Sequence, residues 1–202
     1  MRSRLESATN VVLIAGVIVA IWTMLKPTGD PLRLELTKVD SPLYEKALEL
    51  AEIPESSHSK LLVVSDYQCP GCRAIEPTLD SIARRGATSI GVIHLPLNQH
   101  RRAFDAARLA ECARNAGRFR EVHTRLFERQ ADLDTLDLLS LLSPTDEATR
   151  HCFEANSSAD VVKAHTDLAT QLHVSATPTI IINGRRLSRL PSKDELIRLL
   201  AD

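Results

Sequence analysis

The strongest constraint on the fold is a C-x-x-C motif that lies between a strand pattern and a helix pattern. Cys69-Pro70-Gly71-Cys72 follows the apolar run Leu61–Val64 and leads into an amphipathic segment. A cysteine in the first turn of a helix lies beside unpaired N–H groups and the positive end of the helix dipole, which favour thiolate. The sequence therefore predicts a strand–turn–helix site for thiol–disulfide chemistry, with Cys69 as exposed nucleophile and Cys72 as resolving thiol.

The N-terminal region contains an apolar run over residues 11–25. Arginines precede this run, and no small-x-small cleavage site follows it. We therefore expect a cytoplasmic tail over residues 1–8 and a transmembrane anchor over residues 9–25, with a cleaved signal sequence as the alternative for the latter. In either case the rest of the chain would face the periplasm or the cell exterior, where disulfides persist.

The remaining chain divides into a tether and one folded domain. Residues 26–59 are predicted to be a tether that carries a short strand and a short helix. Residues 60–202 show a β-α-β pattern, a block of helices over about 101–173, and a final β-β-α pattern. Because strands alternate with helices, the sequence predicts an α/β fold in which helices cover a small sheet.

Other chemistries receive less support from the residues. The two cysteines of the motif could instead form an inert disulfide or half of a zinc site. The remaining cysteines, Cys112 and Cys152, do not form a second C-x-x-C, and the histidines are scattered, so no metal is assigned. A formal net charge of −1 gives no basic excess, so nucleic acid is not predicted as a partner.

Several features, in this order and spacing, resemble the DsbA-like branch of the thioredoxin superfamily over residues 60–202. A proline follows the second cysteine by five positions, and the helical block lies between strands, as in that branch. The segments that carry the resemblance are Asp66-Tyr67-x-Cys69-Pro70-x-Cys72, Pro77, Ala176-Thr177-Pro178-Thr179 and Asn183-Gly184.

The resemblance implies a thioredoxin-like fold with an inserted helical block and a protein-disulfide oxidoreductase activity that needs no dissociable cofactor. It implies that Pro178 is cis beside the C-x-x-C and that Thr177 and Pro178 bind substrate. The implied partners are cysteine-containing exported proteins and a membrane redox partner that recycles the cysteines. Because similar domains carry a cysteine pair in this block, Cys112 and Cys152 are expected to form a structural disulfide. Two buried thiols or a second redox pair are the alternatives.

The motif departs from the best-known oxidases of this family at its central dipeptide. Those oxidases carry a histidine that stabilises the thiolate, whereas this chain has Pro70-Gly71. A less stabilised thiolate makes a milder oxidant, which leaves the direction of electron flow open. Disulfide formation in exported proteins is the expected function, with a reductase, an isomerase or a non-catalytic copper or zinc carrier as alternatives. For Asp66, a proton acceptor and a loop carboxylate both remain open.

Overall fold

The computed structural model describes residues 34–201, with the side chain of residue 201 excepted. Its centre is a five-stranded sheet in the order β1-β5-β4-β2-β3. Only β2 and β3 pair in parallel, and the other neighbouring strands are antiparallel. The strands are β1 (Leu36–Lys38), β2 (Ser59–Ser65), β3 (Thr88–His94), β4 (Thr179–Ile182) and β5 (Arg185–Leu187).

Helices cover this sheet and form the block inserted between β3 and β4. They are α1 (Ser41–Leu50), α2 (Pro70–Ala83), α3 (Ala103–Asn115), α4 (Phe119–Glu128), α5 (Glu147–Glu154), α6 (Ala159–Gln171) and α7 (Lys193–Ala201). Two 3₁₀ helices, Gln130–Asp132 and Leu138–Leu141, follow α4. Side-chain caps fix several starts: Asp40 accepts a hydrogen bond from the N–H of Leu43, and Ser192 and Glu195 form the expected capping box.

Two hydrophobic clusters hold the fold together. One packs α1 and α6 against β2 and β3, with Leu62, Val64 and Ile93 fully buried. The other fills the helical block and includes Tyr67, Cys69 and Cys72. Since burying one large apolar side chain contributes roughly 1.5–3 kcal/mol, the second cluster ties the C-x-x-C segment firmly to the block.

The prediction of a tether over residues 26–59 is wrong for its second half. Leu36 of β1 lies opposite Leu187 of β5, so β1 closes one edge of the sheet. Helix α1 buries Tyr44, Ala47 and Leu48 against the domain. The partners of β1 lie some 150 residues further along the chain, which is why local patterns suggest a free segment there.

A glycine in β3 lets the end of α1 approach the sheet. A Cβ added at Gly91 would lie 2.7 Å from the Cβ of Ala51 and 2.8 Å from Cδ1 of Ile53. Real carbon atoms do not approach so closely, so this contact requires glycine. The predicted tail (1–8) and anchor (9–25) lie outside the described residues. Within residues 34–201, no helix combines the length and the apolar character that crossing a bilayer requires.

Candidate functional site

Cys69 is the N-cap residue of α2, at the end of the loop that leaves β2. Its backbone is extended, with φ −78° and ψ 118°, and its carbonyl accepts hydrogen bonds from the N–H groups of Cys72 (3.1 Å) and Arg73 (3.2 Å). Pro70 takes the first helical position, where a missing N–H costs nothing. The helix continues without a break through Pro77 to Ala83. The sulfur of Cys69 therefore belongs to the positive end of the α2 dipole.

A cis peptide bond joins Thr177 to Pro178, as the resemblance implied. The Sγ of Cys69 donates a hydrogen bond to the carbonyl oxygen of Thr177 at 3.3 Å. A Cβ added at Gly71 would lie 3.0 Å from Cδ of Pro178 and 3.7 Å from the Cys69 sulfur. The proline loop therefore packs directly on the motif, and the structure brings the predicted motif cysteines and proline loop together.

The two cysteines of the motif, both free thiols, differ in burial. Cys69 is 8% exposed and Cys72 is 0% exposed. The expectation of an exposed Cys69 is wrong, because the Thr177 carbonyl contacts its sulfur and the helical block packs around it. It nevertheless remains the more accessible of the two sulfurs.

Cys72 is held as a neutral thiol at physiological pH. Burial, with a smaller contribution from the neighbouring Cys69, raises its pKa to about 12. The hydroxyls of Ser65 and Thr177 and the backbone N–H of Asp66, which lies 3.5 Å from the Cys72 sulfur, act in the opposite direction. An external disulfide or thiol would therefore meet Cys69 first.

Asp66 is buried, but its carboxylate is used by the loop. One oxygen accepts the N–H of Gln68 at 2.7 Å, and the other accepts the N–H of Leu97 and Nδ1 of His100, both at 2.8 Å. These contacts fix the turn that carries Cys69. They favour the loop-carboxylate interpretation over the proton-acceptor one.

Sequence reasoning missed Gln130, which reaches from the helical block to the motif. Its Nε2 donates hydrogen bonds to the carbonyls of Tyr67 at 2.8 Å and Cys69 at 3.0 Å. Gln68 makes a second connection, since its Oε1 accepts the N–H of Arg102 at 2.6 Å. A glutamine 61 residues from Cys69 gives no local signal of this contact.

A buried cluster of His94, Glu111 and His165 lies beside the motif, with their ligand atoms within 4.8 Å of one another. The Nε2 of His94 lies 2.8 Å from Glu111, which also pairs with Arg114. Burial raises the pKa of Glu111, but His94 and Arg114 outweigh it and hold the pKa at about 2. The sequence did not show this grouping because its members come from three separate elements.

The hydrogen bonds of this cluster argue against metal binding. Nδ1 of His165 accepts the backbone N–H of His94 at 3.1 Å, so in the neutral ring the proton lies on Nε2. A protonated nitrogen has no lone pair for a metal. Burial lowers the pKa of His165 to about 3, which keeps this ring neutral. The ring of His94 stacks on that of His165 at 5.0 Å and lies 5.6 Å from the ring of Tyr67.

A disulfide joins Cys112 of α3 to Cys152 of α5, with 5.6 Å between the Cα atoms. It closes a loop of 40 residues that contains α4 and both 3₁₀ helices. Cys112 is 1% exposed, whereas Cys152 is half-buried. The structure thus shows this pair as a crosslink of the helical block rather than as two separate thiols.

The site combines an interior strand that leads into a helix-capping cysteine, a second cysteine one turn further and an adjacent cis-proline. Together these features define the thioredoxin-fold class of thiol–disulfide oxidoreductases. The family model described as thioredoxin matches residues 54–202. The chain belongs to that family and is a DsbA-like member of the thioredoxin superfamily.

Several solved structures and curated proteins are similar to this chain. BdbD of Bacillus subtilis, solved in its oxidised state, superposes with a TM-score of 0.66 at 18% identity, over 82% of this chain and 95% of that one. DsbA2 of Pseudomonas aeruginosa superposes with a TM-score of 0.59 at 25% identity, over 71% and 87%. A curated relative, a Na⁺/H⁺ antiporter of Mycolicibacterium gilvum, is 28% identical over 91% of this chain. The chain spans about a third of the length of that relative.

Proposed function

We propose that this chain is an extracytoplasmic thiol–disulfide oxidoreductase that forms disulfides in exported proteins. The observation that carries the proposal is the position of Cys69, which caps α2 while its sulfur lies 3.3 Å from the carbonyl oxygen of Thr177. A helix N-terminus favours the anionic sulfur, and the backbone of the cis-proline loop lies beside it.

The oxidising reaction starts from a disulfide between Cys69 and Cys72. A substrate thiolate attacks Cys69, the bond to Cys72 breaks, and Cys72 leaves as a thiolate that takes up a proton. A second substrate thiolate then attacks the substrate sulfur of the mixed disulfide and releases Cys69 as a thiolate. The substrate gains a disulfide and gives up two electrons, which a membrane redox partner removes from the reduced pair.

Substrate docking is assigned to Thr177 and Pro178. Both side chains are half-buried beside Cys69, and their backbone precedes β4, which begins at Thr179. An extended peptide can pair with such a segment as an added strand, with backbone hydrogen bonds that do not depend on its sequence. This mode of docking suits an enzyme that acts on many cysteine-containing proteins.

The direction and the compartment rest on separate observations. The Cys112–Cys152 disulfide suits an oxidising compartment, and the apolar run over residues 11–25 suits an outward-facing domain. The absence of an ionisable side chain at Gly71 favours a milder oxidant, so a reductase or isomerase of the same fold is the second candidate. A measured reduction potential near that of thioredoxin, about −270 mV, would favour this second candidate.

The activity is tested by trapping. Replacing the resolving thiol, Cys72→Ala, should leave exported proteins attached to Cys69 through disulfides that dithiothreitol releases. The double variant Cys69→Ala/Cys72→Ala keeps the Cys112–Cys152 disulfide and is the matched control. Equal yields from the two variants would contradict the proposal.

The compartment is tested by labelling. A membrane-impermeant maleimide should modify Cys69 in intact spheroplasts that express the reduced Cys72→Ala variant. Labelling that requires lysis would place the domain on the cytoplasmic side and would contradict the outward orientation.

A further inference from the structure

Two buried hydroxyl groups beside Cys72 make no hydrogen bond to any described residue. They are the Oγ of Ser65 and the Oγ1 of Thr177. Ser65 is 3% exposed and ends β2 directly before the motif loop. A buried hydroxyl without a partner is costly, so such groups call for an explanation.

The protonation state of Cys72 explains why both hydroxyls lack a hydrogen-bond partner. Ser65 directly precedes Asp66, whose N–H lies 3.5 Å from the Cys72 sulfur, and Thr177 contacts the other sulfur of the motif through its carbonyl. Both hydroxyls act to lower the pKa of the Cys72 thiol. A neutral thiol is a weak acceptor, whereas a thiolate is a strong one. The hydroxyls therefore lack a good partner while Cys72 is protonated and gain one when its sulfur becomes negative.

The backbone adds a third donor to this group. The N–H of Asp66 points at the Cys72 sulfur from 3.5 Å. The carboxylate of Asp66 is turned away, since both of its oxygens accept hydrogen bonds from the surrounding loop. The main influences on the pKa of Cys72 are burial, the neighbouring Cys69 and these three donors. Neutral donors thus surround this sulfur without a charged base.

We infer that Ser65 is a catalytic residue. Its hydroxyl, together with Thr177 and the Asp66 N–H, stabilises the thiolate of Cys72 when this thiolate forms as the leaving group of disulfide exchange. When a thiolate attacks Cys69 of the oxidised pair, the Cys69–Cys72 bond breaks and its electron pair stays on Cys72. The Asp66 N–H already contacts the sulfur, and the two hydroxyls have no competing partner among the described residues, so little more than rotation of each O–H is needed at that moment. The thiolate then takes a proton from solvent.

This role makes a kinetic prediction that a structural role does not. At pH 7 the reduced Cys72 is a thiol, so the stability of its thiolate has little influence on the equilibrium between oxidised and reduced forms. The same thiolate is present in the transition states of opening and closing the disulfide. Loss of the Ser65 hydroxyl should slow both directions about equally and leave the reduction potential unchanged.

The inference rests on the proposed function, and the experiment separates the two. The oxidised full-length chain is mixed with excess reduced glutathione, and opening of the Cys69–Cys72 disulfide is followed by acid quench, alkylation and mass spectrometry. We expect Ser65→Ala to be opened about tenfold more slowly, with an equilibrium constant against glutathione within twofold of the native chain.

Ser59 supplies the matched control. It lies on the same strand and the same face as Ser65, is 2% exposed, and its hydroxyl also lacks a partner among the described residues. Ser59→Ala should react at the native rate. A native rate for Ser65→Ala, or equal slowing of both variants, would overturn the inference.

A second pair keeps the test valid where Ser65→Ala does not fold. Ser65→Thr and Ser65→Val have nearly the same shape and differ in the hydroxyl. The threonine variant should keep the faster rate, and equal rates for the two would overturn the inference. If the native chain itself does not exchange with glutathione, both the inference and the proposed function fail. If it exchanges and the hydroxyl makes no difference, only the inference fails.

Discussion

Reducing the Cys112–Cys152 disulfide is expected to lower the free energy of unfolding by about 4 kcal/mol. The loop that it closes contains 40 residues, and the chain-entropy model gives this value for a loop of that length. Domains are stable by roughly 5–15 kcal/mol in total, so this bond accounts for a large share. The melting temperature should fall by about 10 °C.

The measurement is made in the Cys69→Ala/Cys72→Ala background, where Cys112 and Cys152 are the only cysteines left of the four. Urea unfolding is compared with and without dithiothreitol present throughout. The same sequence is then measured in both states, so neither a cavity nor a new side chain confuses the difference. The control also carries Cys112→Ala and Cys152→Ala and should not respond to the reductant. A difference below about 1 kcal/mol would refute the loop-closure reasoning.

Three further changes test the packing and electrostatics. The pKa of His165 is about 3 in the folded state, below its unfolded value. The contribution of this neutral ring to the free energy of unfolding is therefore fully present above about pH 6.5 and is lost as the pH falls towards 3. His165→Asn keeps an acceptor for the His94 N–H. It should reduce the dependence of the free energy of unfolding on pH by up to about 1.4 kcal/mol per pH unit, measured by urea titrations at several pH values. An unchanged dependence on pH would contradict this. Gln130→Ala should lower the free energy of unfolding in urea by about 1–2 kcal/mol, because it removes the hydrogen bonds to the carbonyls of Tyr67 and Cys69. Gln171→Ala on the surface of α6 should lower it by less than about 0.5 kcal/mol, and equal losses would contradict a stabilising role for the Gln130 hydrogen bonds. Gly91→Ala should destabilise by about 1–3 kcal/mol through its contact with Ala51, and a native midpoint in thermal unfolding would show that α1 can move away.

Features set by neighbouring residues could be predicted from the sequence. The strand before the motif, the helix that begins at Pro70 and the Ser192–Glu195 capping box depend on contacts within a few positions of the chain. The pairing of Cys112 with Cys152 and the cis state of Pro178 came from the resemblance to a family, since the residues alone left alternatives open. Local chemistry and family pattern together thus accounted for the centre of the site.

Features set by distant partners could not be predicted. Leu36 pairs with Leu187 across two strands, and His94 meets Glu111 and His165 from two helices, because the fold brings together elements that are far apart in the sequence. The burial of Cys69 follows from the same cause, since the residues that cover it come from the helical block and the proline loop. These contacting residues are too far apart in the sequence for any local pattern to reveal their contacts. The accessibility of Cys69 and the contacts that support it can therefore be read only from the three-dimensional structure.

Because Gln130 holds the motif through two hydrogen bonds, the heptapeptide around Cys69 cannot be transferred on its own with its geometry intact. Transplanted into another scaffold, it would carry its sulfurs but would leave the carbonyls of Tyr67 and Cys69 without the amide that holds them here. A design that transfers this reactivity to another protein would also have to place a glutamine amide within hydrogen-bonding distance of the same two carbonyls.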